Sequence, residues 1–403
     1  MRETMTSRER VIRTLNREPT DRIPIDLGSH MSTGISMFAY WHLRKHLGYS
    51  TKDIWVPDLV QCLAYVDEDI LQRFHVDCIL LTPRWSAERH WSPRKPYVFA
   101  VPEQFQPRQK QNGNWVATHG EQNMRMPSGG YFFDGTWLSN CWHGLSEDKV
   151  IQRYASEAER IYKETEYACN FVGYAYGGGL GSFFRGLEQG CRMLTAPDEV
   201  LEQNELDLQR QIQQFNRINE AFGQYIQLIT VGDDMGGQNG PLVSPGSIER
   251  FCAPYYKRLC RHIHRYSDIK VFMHNCGGIE PLMPCLIDAG IDVMNPVQIS
   301  ADGMEPRQLK AKYGDKIVFW GGGCDTQNVL GIVAPHEVTE HVRALVRTFK
   351  KGGGFVFNQV HNIMGDVPPE NIVAMLDTAY EESLCDTKQP DENVSNKPDA
   401  GDG

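Results

Sequence analysis

Two apolar runs end in residues suited to chemistry. IKVFMHNC, residues 269–276, finishes in His274-Asn275-Cys276, and KIVFWGGGC, residues 316–324, finishes in Cys324. In extended chain, residues i and i+2 project to one side, so His274 and Cys276 can reach a common point. One imidazole and two thiolates suit Zn2+, a borderline-soft ion, and three protein ligands leave a fourth position for a substrate atom. Spacing alone leaves a plainer alternative open: two buried cysteines and a hydrogen-bonded histidine. Other apolar runs also close on polar residues. Asp233 and Asp234 follow QLITVG. As paired carboxylates they would act catalytically, by sharing a proton, orienting a substrate hydroxyl or helping to hold metal. The alternative is that one caps the turn at Gly236-Gly237 and the other is solvated. Asn295 and Gln298 end IDVMNPVQ and are candidates for hydrogen bonding to substrate. Asn358 and His361 end GFVFNQVHN, His361 being a proton donor, a fourth ligand or a wall histidine. His30 follows RIPIDLG in the same way, and Asp325 follows Cys324.

Strands of one barrel would bring these residues together. Short runs rich in Val, Ile, Phe and Leu occupy residues 22–28, 76–83, 171–177, 227–233, 269–276, 291–298, 316–324 and 354–362. Helical patterns separate most of them, at 149–169, 182–194, 197–222, 245–266, 280–289, 306–313, 335–349 and 369–384, and a first helix is expected over 7–16. Alternation of this kind predicts parallel strands with helical crossovers, and eight of them predict an α/β (β/α)8 TIM barrel. An open doubly wound sheet is the competitor. No GxGxxG follows the first strand, and Gly177-Gly178-Gly179 lacks phosphate-loop spacing. In a barrel all strand ends open on one face, so strands five and seven stand one neighbour apart and Cys324 can complete the cluster.

From residue 84 to about residue 136 the alternation breaks. Apolar positions alternate around Asn112-Gly113, a hairpin signal that predicts an inserted antiparallel flap. Its rings include Trp85, Trp91, Tyr97, Phe99, Phe105, Trp115, Tyr131, Phe132, Phe133 and Trp137. They form either a satellite apolar cluster or the wall of a site for a flat or methylated substrate. The expected organisation is one barrel domain over 1–384 and a disordered polar tail over 385–403.

With 41 Lys+Arg and 51 Asp+Glu in 403 residues the net charge is −10, which argues against nucleic acid as the main partner. No apolar run is long enough to span a membrane. The charged start, MRETMTSRER, is not a secretory signal, so a reducing cytoplasm is expected for the 11 cysteines.

Three stretches carry a resemblance: TSRERVIRTLNREPTDRIPID, GDDMGGQNGPLVSPGSIERFCAPYYKRL, and the run from MHNCGGIEPLMPCLIDAGIDVMNPVQ through FWGGGCDTQNVL to the last helix. They resemble the uroporphyrinogen decarboxylase superfamily, and within it the cobamide-dependent methyltransferase branch. The resemblance implies a (β/α)8 barrel, a His-x-Cys…Cys zinc signature falling on His274, Cys276 and Cys324, and a homodimer. It departs from the decarboxylase branch after the first strand. Asp26-Leu27-Gly28-Ser29-His30-Met31-Ser32 holds no arginine to meet a polycarboxylate substrate. A decarboxylase is therefore the second expectation. The first is methyl transfer between a small molecule and a corrinoid, either demethylation of a substrate such as an aryl methyl ether or methylation of a thiol. The nearest match to the corrinoid-binding DxHxxG is Gln359-Val360-His361 with Gly365, which lacks the Asp and has one residue too many. The cofactor is thus expected on a separate corrinoid protein.

Overall fold

β-Branched and aromatic residues fit a pleated surface buried on both faces. In the computed structural model, which describes residues 3–119, 122–135, 145–172 and 180–384, they form parallel strands. We label these β1 (residues 25–26), β2 (Cys78–Leu80), β3 (Ala168–Val172), β4 (Leu228–Gly232), β5 (Lys270–His274), β6 (Val293–Asn295), β7 (Val318–Trp320) and β8 (Phe355–Val356). β2 to β8 follow one another in chain order through a seven-stranded sheet. The two-residue β1 closes it: Ile25 pairs in parallel with Phe357, and Asp26 with Cys78. The Asp26 N–H donates to the Phe357 carbonyl and the Asp77 N–H to the Ile25 carbonyl, both at 2.8 Å. The result is the expected (β/α)8 barrel.

Inward positions divide the barrel into two levels. The lower level is apolar: Cys78, Ala168, Leu228, Phe272, Val293, Val318 and Val356 pack with Val11 and Leu15 of the first helix, Ser7–Leu15. That helix, capped by the Thr6 side chain accepting from the Glu9 N–H, plugs the floor. Two residues further along, the inward side chains of five of these strands turn polar, giving Asn170, Thr230, His274, Asn295 and Asn358, while β2 and β7 carry Leu80 and Trp320 there. A buried ion cluster fastens the floor. Asp77 receives Arg10 and Arg22, each at 2.6 Å, and also accepts the Ile25 N–H at 2.9 Å.

Helix starts at Pro197, Pro306, Pro335 and Pro369 fall where proline at the first turn predicts them. The expected helix over 245–266 is instead two, Pro245–Phe251 and Ala253–Tyr266, broken at Cys252, just before Pro254. The helix expected over 149–169 ends at Glu164, because Ala168 and Cys169 pair with Cys78 and Ile79 as strand β3. Residues 173–179, which hold most of the expected third strand, lie outside the described residues, as do Trp137 and the tail 385–403.

The insert is mainly antiparallel. Arg108–Gln109, Trp115–His119, Gln122–Met126 and Asp134–Gly135 form a four-stranded meander. Glu88–Trp91 pairs antiparallel with Phe99–Pro102, which also pairs in parallel with Ile54–Trp55, tying the insert to chain ahead of β2. Its rings mostly meet one another: Trp91 and Phe105 lie 5.1 Å apart, and Phe105 and Phe133 5.7 Å. Trp91, Phe99, Phe105 and Phe133 are buried, as the satellite-cluster expectation has it, while Phe132 is exposed.

Candidate functional site

His274 is the last residue of β5, on the inward side shared with Phe272. Gly232 on β4 lets that backbone approach, since a Cβ there would lie 2.3 Å from the His274 carbonyl oxygen. Beyond His274 the chain turns under tight control. The Asn275 N–H donates to the Asn295 carbonyl at 2.7 Å, and the Cys276 N–H to Asp234 Oδ1 at 3.0 Å. The Gly277 N–H donates to Gln298 Oε1 at 2.8 Å. Gly277 has φ +88°, and a Cβ on it would sit 2.3 Å from the Gly236 carbonyl carbon. Only glycine fits between this turn and the hairpin of Gly236–Gly237 with Gly240–Pro241. The turn brings Cys276 Sγ back to 3.4 Å from His274 Nε2.

His361 arrives from the far side of the mouth. It takes φ +61°, a left-handed conformation uncommon outside glycine and tolerated best by Asn, Asp and His. Asn362 anchors this bend: its Oδ1 accepts the Gly34 N–H at 2.9 Å and its Nδ2 donates to Gln61 Oε1 at 2.8 Å. The His361 ring thereby comes 5.7 Å from the His274 ring. Ligand atoms of His274, Cys276 and His361 all lie within 4.8 Å of one another.

Burial, then the neighbouring His274, lowers the His361 pKa to about 4. Burial also drives His30 well below its usual value. Burial first, then Asp234, raises the Cys276 thiol. Without metal, Cys276 is thus a neutral thiol and His361 a neutral imidazole. Tetrahedral zinc bonds of about 2.0–2.3 Å would separate ligand atoms by about 3.3–3.8 Å. The 3.4 Å between Sγ and Nε2 meets that requirement, and the nitrogen–sulfur donor set is of the right softness.

The other expected residues take separate places. Cys324 is fully buried, with its Sγ 3.9 Å from the Asp325 carbonyl, and it does not join the three converging groups. His361 stands where Cys324 was expected. Cys324 is still a close neighbour, since its carbonyl accepts the Val360 N–H at 2.9 Å. The two aspartates face opposite ways. Asp233 is buried and accepts from Ser182 Oγ at 2.5 Å, the Phe183 N–H at 2.7 Å, the Phe184 N–H at 2.6 Å and the Tyr256 hydroxyl at 2.5 Å. It anchors a loop, and burial lifts its pKa to about 7. Asp234 is exposed, with Oδ1 3.6 Å from His274 Nε2. His30 is fully buried and stacks on His274 at 5.3 Å. Gln298 holds the turn after Cys276, as described. Asn358 is buried inside the barrel, donating to the Asp26 carbonyl at 3.1 Å, and its Oδ1 has no hydrogen-bond partner among the described residues. Asp325 accepts the Gln327 N–H at 2.8 Å and organises its own loop.

Ser32 and Asn362 were not singled out from sequence. Their position directly beside His30 and His361 is the signal that would have found them. A cleft of about 810 Å3 at the opposite end of the barrel, lined by Arg8, Asn16, Tyr162, Lys270 and Asp292, touches none of these groups.

A sequence profile described as Uroporphyrinogen decarboxylase (URO-D) matches residues 193–382, which include all three converging side chains. A uroporphyrinogen decarboxylase from Psychromonas ingrahamii is 26% identical over 173 residues, 41% of this chain and 45% of that protein. One from Citrifermentans bemidjiense is 28% identical over 158 residues, 38% and 41% of the respective lengths. The chain thus matches less than half the length of these curated relatives. Among solved structures, a methyltransferase from Methanosarcina mazei superposes with TM-score 0.56 at 13% identity, covering 94% of this chain and 99% of that one, which establishes a shared fold.

Proposed function

We propose that this chain is a zinc-dependent methyltransferase that exchanges a methyl group between a small methylated molecule and a corrinoid carried by a separate protein. The observation that carries the reading is the meeting of His274 Nε2, Cys276 Sγ and the His361 ring at the C-terminal rim of the barrel. The fold shared with a protein described as a methyltransferase supports it. His274, Cys276 and His361 would hold the ion, with Cys324 as the alternative third ligand. When bound, zinc would supply Lewis acidity that stabilises a thiolate or a departing heteroatom anion. Asp234, whose Oδ1 accepts the Cys276 N–H at 3.0 Å, would take the thiol proton as Cys276 becomes a ligand. The exposed side of the cluster is left for the substrate heteroatom. We favour demethylation of a small methylated substrate, with methylation of a thiol as the reverse task at the same site. Gln298 beside Cys276 would shape that side, while the buried His30 would back His274 from beneath. A homodimer in a reducing cytoplasm is the expected setting, and there the described cysteines would stay free thiols.

Relatives named as decarboxylases favour a second reading, loss of CO2 from a polycarboxylate. The stretch from Asp26 to Ser32 disfavours it, because the carboxylates would find no arginine there and would meet Asp234 at the cluster.

Metal analysis tests the first reading. Protein purified without chelator is expected to hold about one zinc per chain. It should also transfer methyl groups between cob(I)alamin or methylcobalamin and some member of a panel of methoxyarenes, methylamines and thiols. A folded protein that holds no zinc, yet releases CO2 from uroporphyrinogen, would establish the second reading instead.

A further inference from the structure

The two imidazoles of the cluster are supported differently. No side chain among the described residues hydrogen-bonds the His361 ring, whereas the far nitrogen of His274 is held. Asn295 is fully buried at the end of β6 and lies opposite His274 in the strand register. Its Nδ2 donates to the Trp320 carbonyl at 3.0 Å. That bond fixes which way the amide points, because the flipped amide would press two oxygens together. Asn295 Oδ1 therefore faces the other side, where it lies 3.0 Å from His274 Nδ1 and accepts from Ser32 Oγ at 2.6 Å. An amide oxygen only accepts. In the neutral ring the hydrogen must therefore sit on His274 Nδ1, which gives the lone pair to Nε2, the atom facing Cys276 Sγ.

We infer that Asn295 is a positioning residue, acting through His274: it selects the one imidazole tautomer able to bind metal through Nε2. This role differs from the direct substrate contact expected from sequence, and it rests on the metal reading of the site. Ser32 completes the arrangement. By donating to the same oxygen it links the loop after β1 to the orientation of a ligand on β5. An imidazole held through its second nitrogen is a stronger and better aimed ligand, and loss of such a support weakens metal binding by about 10–100-fold.

The experiment uses the full chain with Asn295→Leu and Asn295→Asp. Leucine removes the acceptor at similar volume, and a carboxylate restores it. Zinc affinity is measured by competition with a chromophoric chelator. The tautomer is read in metal-free protein by long-range nitrogen–hydrogen NMR on labelled histidine, assigned with His274→Gln. Wild type is expected to carry the His274 hydrogen on Nδ1. N295L should lose about 10–100-fold in zinc affinity with a mixed tautomer population, and N295D should recover most of both. An unchanged zinc affinity in folded N295L, or a wild-type His274 protonated on Nε2, would overturn the inference. A wild type that binds no zinc defeats the metal reading by itself. The tautomer readout then still decides whether Asn295 sets the state of His274.

Discussion

On the floor of the barrel, Leu228, Phe272, Val293 and Val356 pack against Val11 and Leu15 in an apolar core. One pleat higher, the same strands turn Thr230, His274, Asn295 and Asn358 inward, and these polar groups are committed to hydrogen bonds or to the cluster. The lower level gains from removing apolar surface from water and tolerates no unpaired charge. The upper level cannot stabilise the chain in that way, so each polar group needs a partner, and a group without one is available to a ligand. Stability and chemistry are therefore separated along the barrel axis, by two residues per strand.

The sharpest way to break this division is at the rim. Cys276→Ser is expected to lower zinc affinity by roughly a thousandfold, about 4 kcal/mol, and to abolish methyl transfer. Thermal unfolding of the metal-free variant should match that of metal-free wild type. If the metal-free variant instead unfolds far earlier, the thiol is part of the core and the division is wrong.

The converse change is made below. Asp77→Asn takes the one fully buried carboxylate from Arg10 and Arg22, which keep Asp21 and Glu3, and should cost about 3 kcal/mol in urea titration, with zinc content per folded molecule unaltered. A variant stable as wild type but lacking zinc would reverse the assignment of levels.

Asp26 sits between the levels, fully buried, with Trp320 Nε1 at 2.7 Å and Ser29 Oγ at 2.8 Å on its carboxyl. Burial raises its pKa from 3.8 to about 6 despite those donors. The folded chain therefore holds a proton that the unfolded chain releases first. The contribution is fully present below pH 3.8 and is lost as pH rises through 6, up to about 3 kcal/mol. Stability measured against pH for wild type and Asp26→Asn should differ in slope across that window. Parallel curves would show that Asp26 ionises normally.

The smallest effect separates the two candidates for third ligand. If His361 fills that position, Cys324→Ser should reduce zinc affinity by less than about tenfold, or 1.4 kcal/mol, while His361→Ala costs much more. The opposite ranking, read by the same chelator competition, would return Cys324 to the coordination sphere.

Much of this was legible beforehand. The eight apolar runs and the helix-opening prolines determine the barrel, since local pattern and crossover rules leave few alternatives. His274 and Cys276 were legible because a period of two is a local property. The third partner was not. Whether His361 or Cys324 reaches the pair depends on a left-handed turn held by Asn362, Gly34 and Gln61, which no short-range pattern announces. Asp233 and Asp234 look equivalent in sequence, yet one is enclosed by the Ser182–Phe184 loop and Tyr256 while the other meets the cluster. Asn295 was expected to serve substrate because its position at a strand end was visible, whereas the Trp320 carbonyl that turns its amide was not.

The short first strand has a consequence for assembly. Asn358 reaches the carbonyl of Asp26 across 332 positions of chain, and the seam beside it is only two residues long. During synthesis the edge waiting for that seam stays open until nearly the whole barrel has emerged. Contacts so distant in sequence form slowly, and an unsatisfied sheet edge invites pairing with another molecule. A chain shortened ahead of Phe357 would thus keep most of its helices and still expose both open edges, favouring aggregation.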